Sequence, residues 1–351
     1  MTRRNRVVRY VRVSILLVLA AYLLGMWLYI PARLLTGDRY WPLSFANTFA
    51  LYGFLPLLVA VPLALLLRAR WLTLIGVVAL VVGLLHFGPL YLPKQTPTAQ
   101  GVVIKVMTFN IWYENNQTDV IEKYIVSINP DLVLIQEITN QYANEGIKAL
   151  QTAYPYQVHE SFRTGDLILS KFPIVEQGDF ALGRDMAFDH QRVVIDVSGQ
   201  KIAVYNIHLP YPLLGTSRIH TRFWYLNAAS GWNDKPRNQQ AAELLDKLDG
   251  EQLRYIVGGD FNSSSQSATY DMLAAVMRDS WREAGWGLGA TWPNARVAGL
   301  PSFMPPVIKI DYLWHSYGIA TLEAHVGPPL TSDHLPYMAT FDILPNGGAS
   351  D

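Results

Sequence analysis

Along the 351-residue chain, polar residues stand at or just past short apolar runs. Asn110 closes VVIKVMTFN and Glu137 closes DLVLIQE; IAVYNIHLP carries Asn206 and His208, YIVGGDFN carries Asp260 and Asn262, IKIDYLW carries Asp311, and SDHLPYMATF opens with Ser332, Asp333 and His334. Taken singly, each has an ordinary structural use as a helix cap or an Asx-turn residue. Taken together, the carboxylates Glu137, Asp260, Asp311 and Asp333, the histidines His208 and His334, and the amides Asn110 and Asn262 sit where loops at strand ends can gather them into one cleft. Carboxylates without thiolates suit a hard cation such as Mg²⁺ or Mn²⁺. The chain contains no cysteine, which excludes a disulfide scaffold, a zinc-thiolate site and a cysteine nucleophile. A histidine directly after an aspartate, with Asp311 upstream, suits a base that a carboxylate orients. These are the parts of a metal-assisted hydrolase acting on a phosphate ester.

The elements that must position these groups follow from the periodicity. The β-branched runs predict strands, and Val120 to Ile128 and Arg237 to Leu248 read as helices between them. Such interleaving fits either a doubly wound parallel sheet or a sandwich of two mixed sheets with helices outside. Periodicity does not choose between them.

The first 92 residues are of another kind. Between Arg12 and Arg33 lie 20 uncharged residues, between Arg39 and Arg68 lie 28, and between Arg70 and Lys94 lie 23. Each run reaches the roughly 20 residues that cross a bilayer as a helix. The expected organisation is a transmembrane anchor of three helices (about 13–32, 43–67 and 71–92), a polar linker at 93–101, a catalytic domain at 102–345 and a tail at 346–351. A cleaved signal peptide would explain the first run only. The overall neutrality, 28 bases against 28 acids, is a cancellation: residues 1–92 hold nine bases and one acid, leaving 19 bases and 27 acids for the remainder. Arg3, Arg4, Arg6, Arg9 and Arg12 crowd one end of the anchor, and Arg68 and Arg70 lie between the second and third runs. By the positive-inside rule these sites face the cytoplasm, so three crossings place the catalytic domain outside it.

The ordered set TFN, LIQE, ILSKFPI, NIHLP, GGDFN, IDYLW and SDHLP resembles the endonuclease/exonuclease/phosphatase (DNase I-like) superfamily over Val102 to Ile343. The resemblance implies a four-layer α/β/β/α sandwich with the active site at one edge. It implies Glu137 as the principal metal ligand, with Asn110 beside it and Asp333 near the metal. It implies Asp260 and Asn262 as the pair that positions water and contacts the phosphoryl group, along with Asn110 on the substrate side. His208 then binds or protonates a phosphate oxygen, and Asp311 with His334 activates the water. Where the family often has arginine, this chain has Lys171 and Lys309, positions that read as peripheral. The segment from Tyr211 to Asp234 is rich in aromatic and basic residues and reads as a surface loop or a lid on lipid headgroups.

The three-span arrangement is similar to bacterial membrane phosphatases associated with teicoplanin resistance, whose implied substrate is a lipid carrier pyrophosphate. The expected function is therefore a membrane-anchored phosphoesterase acting on a lipid-linked phosphate or pyrophosphate, or on a phospholipid headgroup. The alternatives are a nuclease and a catalytically idle binding module. Duplex binding relies on Lys/Arg neutralising phosphates, and the acidic outer domain disfavours nucleic acid as a partner.

Overall fold

The computed structural model describes residues 3–159, 165–183, 189–212, 232–294, 300–301 and 303–345. Most of the aromatic and basic segment singled out above (213–231) and the tail from 346 lie outside the described residues. The chain forms two compact units, Met1–Leu92 and Pro93–Asp351.

The first unit is helical: α1 (Arg3–Thr36), α2 (Trp41–Thr48), α3 (Ala50–Phe54), α4 (Leu57–Leu66) and α5 (Arg70–Phe87), the last running into a 3₁₀ turn at Gly88–Tyr91. Two of its helices, Arg3–Thr36 and Arg70–Tyr91, are long and apolar enough to cross a membrane. Trp41–Thr48 and Ala50–Leu66 meet the same test only together and are bent by 80°, so the candidate spans among the described residues number two, or three if the bent pair is counted as one. Small residues face inward, including Ala60, Ala64 and Ala79, while Leu17, Leu24, Leu66 and Leu85 are exposed. That inverted distribution suits a surface solvated by lipid rather than water.

The second unit begins with β1 (Val102–Asn110), α6 (Thr118–Ile128), β2 (Leu132–Gln136), α7 (Asn140–Leu150), β3 (Tyr156–His159) and β4 (Leu167–Ser170). It continues through β5 (Ile174–Ala181), β6 (Asp189–Val197), β7 (Gln200–His208), α8 (Lys235–Asp249) and β8 (Arg254–Asp260). It ends with α9 (Ala268–Ala274), β9 (Arg278–Asp279), α10 (Ser280–Ala284), β10 (Asp311–His315), β11 (Ile319–Val326) and β12 (Tyr337–Ile343). Two six-stranded sheets result, ordered β11-β12-β1-β2-β4-β3 and β5-β6-β7-β8-β10-β9. Both are mixed: β1 with β2 and β7 with β8 are parallel, and each pair is joined by a helix.

Strand alternation assigns every residue of a strand to one face or the other. Ile104, Val106, Leu132 and Leu134 meet Ile202, Val204, Ile256 and Leu313 between the sheets. The opposite faces carry Met107, Phe109, Val133 and Ile135 under Ile121 and Ile125 of α6, and Ala203, Tyr205 and Val257 under Ala241 and Leu244 of α8. Three apolar layers separate four structural ones, which makes the unit the α/β/β/α sandwich that the resemblance implies.

Gly259 in β8 sits at φ +146°, and a Cβ built there would fall 1.8 Å from the carbonyl oxygen of Ile207. Two backbones approach where no side chain fits. Gly250, at φ −83° with its nearest Cβ neighbour at 3.6 Å, has ordinary room. Gly259→Ala is therefore expected to destabilise the unit by more than about 4 kcal/mol, the range reserved for severe clashes. Gly250→Ala is expected to change stability by less than about 0.5 kcal/mol, and parallel thermal unfolding of the two variants checks the contrast.

Candidate active site

The face between the sheets changes character along the strands. After the apolar residues comes a layer of buried amides and hydroxyls, Thr108, Gln136, Gln191 and Asn206. Gln136 Nε2 donates to Asn206 Oδ1 at 2.6 Å across the two sheets, and Asn206 Nδ2 donates to Gln191 Oε1 at 3.2 Å. One step further along the same face stand Asn110, His208, Asp260 and Asp311, with Glu137 just past the end of β2. The strand period that fills the core with Ile and Val therefore also delivers these groups to one edge.

Asn110 Nδ2 donates to Glu137 Oε1 at 2.9 Å and to Asp260 Oδ2 at 3.1 Å, so one amide bridges carboxylates of different sheets. Its Oδ1 accepts from the Trp112 N–H at 3.0 Å, and Glu137 Oε2 accepts from the Tyr113 N–H at 3.0 Å. His208 Nε2 lies 3.7 Å from Glu137 Oε1 and 3.8 Å from Asp260 Oδ2. His334 Nδ1 is 2.9 Å from Asp311 Oδ2, and its Nε2 faces Asp260 Oδ2 at 3.6 Å. Asn262 closes the group: its N–H donates to Asp260 Oδ1 at 2.8 Å and its Nδ2 to Leu209 O at 2.9 Å. Asp333 is half-buried, and its Oδ2 accepts a 3.4 Å hydrogen bond from Trp292 Nε1. The structure thus gathers the eight predicted residues around one edge of the sandwich. Three backbones there, Trp112, Glu137 and Asn262, adopt left-handed φ of 64°, 61° and 48°. Such conformations cost about 1–3 kcal/mol each and persist only where the surroundings impose them.

Burial and like charge set the protonation of the group. Burial raises the Asp260 carboxyl to about 8; His334 opposes the rise and Asp311 adds to it. Asp333 is likewise raised by burial, with Glu137 contributing. For His334 burial works downward, but Asp311, Asp260 and Asp333 outweigh it and raise the imidazole well above its usual value. His208 moves the other way, lowered by burial against the pull of Glu137. The two histidines are therefore unlike: His334 holds a proton against carboxylates, whereas His208 is neutral and its longer contacts are not ion pairs.

Oxygens from Glu137 and Asp260 converge on the single Asn110 amide, and Asp333 Oδ1 has no hydrogen-bond partner among the described residues. Ligand atoms of Asp260, Asp311 and His334 also lie within 4.8 Å of one another. A donor set of carboxylate oxygens with imidazole fits a hard divalent cation. Asn110, as oriented, offers its NH₂ rather than an oxygen, so it would act as a ligand only after its amide turned over.

Several supporting residues were given no role by the motifs. Ser332 Oγ donates to Asn110 O at 2.7 Å and accepts from the His334 N–H at 3.0 Å, tying the end of β1 to the His334 turn. The buried guanidinium of Arg237 in α8 donates to Asn262 O, to Asp234 and to Thr269 Oγ1, holding the strained Asn262 backbone. His190 Nδ1 accepts the His208 N–H at 3.2 Å; burial lowers His190 to about 3 and keeps it neutral. Lys171 is peripheral, pairing with Asp131 at 3.2 Å. Lys309 is not: it is buried, and its Nζ donates to the main-chain oxygen of Asp311. Burial lowers it to about 8, which leaves a cation at neutral pH. A lysine in a motif looks like a surface residue in sequence because its fate depends on rings contributed by distant strands.

A search of curated proteins returns no match. Among solved structures, a family protein from Bacteroides thetaiotaomicron superposes with a TM-score of 0.54 at 17% identity, covering 72% of this chain and 99% of its own. Truncated TDP2 from Caenorhabditis elegans gives 0.52 at 19% identity, covering 70% and 100%. A beta toxin from Staphylococcus aureus gives 0.50 at 18%, covering 67% and 99%. At these identities the likeness speaks to fold. The model of the Endonuclease/Exonuclease/phosphatase family matches residues 107–334, from within β1 to the histidine paired with Asp311. With 228 of 351 residues matched, the chain belongs to that family, whose members are generally hydrolases of phosphoester bonds.

Proposed function

We propose that the protein is a membrane-anchored, divalent-metal-dependent phosphoesterase whose catalytic unit lies outside the cytoplasm and which hydrolyses a lipid-linked phosphate or pyrophosphate, or a phospholipid headgroup. The observation that carries the reading is the 2.9 Å Asp311–His334 pair, whose free nitrogen faces Asp260, in a chain that also holds apolar helices of membrane-crossing length.

In this reading Glu137 and Asp333, with Asn110 beside them, hold the cation, Mg²⁺ or Mn²⁺. The Asp260, Asp311 and His334 group is read instead as the water-activating set, because Asp311 Oδ2 and His334 Nδ1 already hold each other at 2.9 Å and Nε2 is the nitrogen needed as the base. The bound cation supplies positive charge that offsets the phosphoryl oxygens and the crowded carboxylates. Asp311 fixes the His334 tautomer by holding Nδ1; once the second proton that the carboxylates favour has left the ring, Nε2 is the nitrogen that takes the proton of the attacking water. Asp260 and Asn262 hold that water in line. Neutral His208 keeps its proton on the nitrogen that faces Glu137 and Asp260, and donates it to a phosphoryl oxygen.

The substrate class is argued from the anchor and from charge. Tethering holds a catalytic unit close to the bilayer and raises its effective concentration toward lipids. A soluble substrate gains nothing from it. The acid excess of residues 93–351, 27 against 19, weighs against a polyanionic duplex. Orientation rests on the arginines flanking the helices and on counting the bent pair as one span.

Purified full-length protein in detergent is expected to release phosphate from a polyprenyl pyrophosphate, or the headgroup from a phospholipid, with Mg²⁺ present and not after EDTA. His334→Ala and Asp311→Asn are each expected to lower kcat by about 10²–10⁴-fold. Cleavage confined to plasmid DNA would overturn the lipid reading. Because burial raises Asp260 and Asp333 and the surrounding carboxylates raise His334, cation binding beside them is expected to displace protons. Mg²⁺ affinity should therefore weaken as pH falls from 8 to 6, by about tenfold per unit for each proton released. Calorimetry in buffers of different ionisation enthalpy reads that proton release; affinity independent of pH would contradict the assignment. A reporter active only outside the cytoplasm, fused after Asp351, is expected to be active.

A further inference from the structure

Lys309 lies two residues before Asp311, and its Nζ donates to the main-chain oxygen of that aspartate. The ammonium sits in a ring cage: 3.6 Å from the ring centroid of Tyr337, 4.2 Å from that of Tyr312 and 5.9 Å from that of Trp281. The cage straddles the two sheets. Tyr312 follows Asp311 in β10, whereas Tyr337 stands at the start of β12, three residues after His334. The cage is itself pinned: Tyr312 OH donates to Ser263 O at 3.0 Å and Lys309 O at 3.1 Å, while Tyr337 OH pairs with Ser280 Oγ at 2.5 Å. On the other side of the strand the N–H groups of Ile310 and Asp311 donate to Thr291 Oγ1 at 3.2 and 3.3 Å. Asp311 Oδ1 has no hydrogen-bond partner among the described residues, so His334 and the charge beneath it are what stabilise this carboxylate.

A buried ammonium held by rings and a carbonyl is costly, and an apolar side chain of the same length would fill the space without that cost. The charge therefore points to a use beyond packing. We propose that Lys309 is a positioning residue: clamped between Tyr312 and Tyr337, it fixes the Asp311 main chain, sets the separation of the Asp311 and His334 segments, and places positive charge behind the carboxylate that orients His334. This rests on the reading of Asp311 and His334 as the water-activating pair.

The test compares wild type, Lys309→Met, Lys309→Gln and Lys309→Arg as full-length protein in detergent. Loss of the buried charge without loss of volume should leave the Tm of Lys309→Met equal to or above that of wild type. Its kcat should fall by at least about tenfold while KM stays within about twofold. Lys309→Gln, which can keep a donor but not the charge, should behave likewise and serves if the methionine variant does not fold. Lys309→Arg, which keeps both the charge and the ring stacking, should recover kcat to within about fivefold of wild type. The downfield Nδ1–H proton resonance of His334, identified by its loss in His334→Ala, should move or vanish in the methionine variant and persist in the arginine variant. If Tm and kcat fall together and arginine rescues neither, Lys309 is structural only and the inference is overturned. An unchanged kcat and resonance in Lys309→Met also overturns it. Absence of phosphoesterase activity in wild type defeats the proposed function instead, while the resonance still decides the role of Lys309.

Discussion

Glu137, Asp260, Asp311 and Asp333 crowd one edge of a sandwich, with Asp260 and Asp311 buried and Glu137 and Asp333 half-buried. Like charges in a low-dielectric setting repel strongly, and each carboxylate must also replace the water it loses. Much of the surrounding architecture answers that cost. Amide donors are aimed at the oxygens from Asn110, Asn262 and the Tyr113 backbone. His334 retains a proton that an isolated imidazole would lose, because three carboxylates surround it. Lys309 supplies a second positive charge from beneath the sheet. A divalent cation could balance the group further, in competition with the proton that burial favours on Asp260.

The same constraint explains why polar residues extend back into the sandwich. An abrupt junction between Ile/Val packing and ionised groups would leave strand-end polar atoms facing hydrocarbon. The Thr108, Gln136, Asn206 and Gln191 layer provides a graded transition, with hydrogen bonds joining the sheets as well as filling space. Partly satisfied networks of this kind are destabilising, whereas fully connected ones impose a single arrangement. The layer therefore fixes the register of β2 against β7 just below the site. Left-handed backbones at Glu137 and Asn262 show the reverse side of this rigidity: the network holds conformations that isolated residues would abandon.

How much of this could be read from sequence depends on the range of the interaction. Strand positions were legible because alternation is local, and VVIKVMTFN and YIVGGDFN map onto β1 and β8 almost residue for residue. Helix Arg237 to Leu248 was legible by its 3.6-residue spacing, yet the spacing gave no hint that Arg237 turns inward to hold Asn262. Periodicity could not choose between a doubly wound sheet and a sandwich, since both bury the same strands; the antiparallel pairing of β1 with β12, more than two hundred residues apart, decides it. Lys309 was misread as peripheral because a charged residue is ordinarily solvated, and the rings that enclose it come from β10, α10 and β12. The bend of 80° in the second apolar run was equally invisible, as hydropathy averages along a segment and does not register its direction.

In the proposed function the apolar helices matter through what an anchor makes unnecessary. A soluble phosphoesterase acting on a membrane substrate must associate with the surface at every turnover, and such proteins use basic patches or apolar faces to do so. A chain with its own apolar helices has no such need, so its catalytic unit is free to be acidic. The charge split at the linker, with the base excess confined to residues 1–92, agrees with that proposed division of labour. It also separates two requirements that compete in a nuclease of this fold, which must both hold several carboxylates for the metal and present cations to a polyanion. Here only the first requirement is visible in the described residues of the site. That pattern fits the proposed substrate, whose few charges a cation and His208 would meet and whose bulk a bilayer would hold.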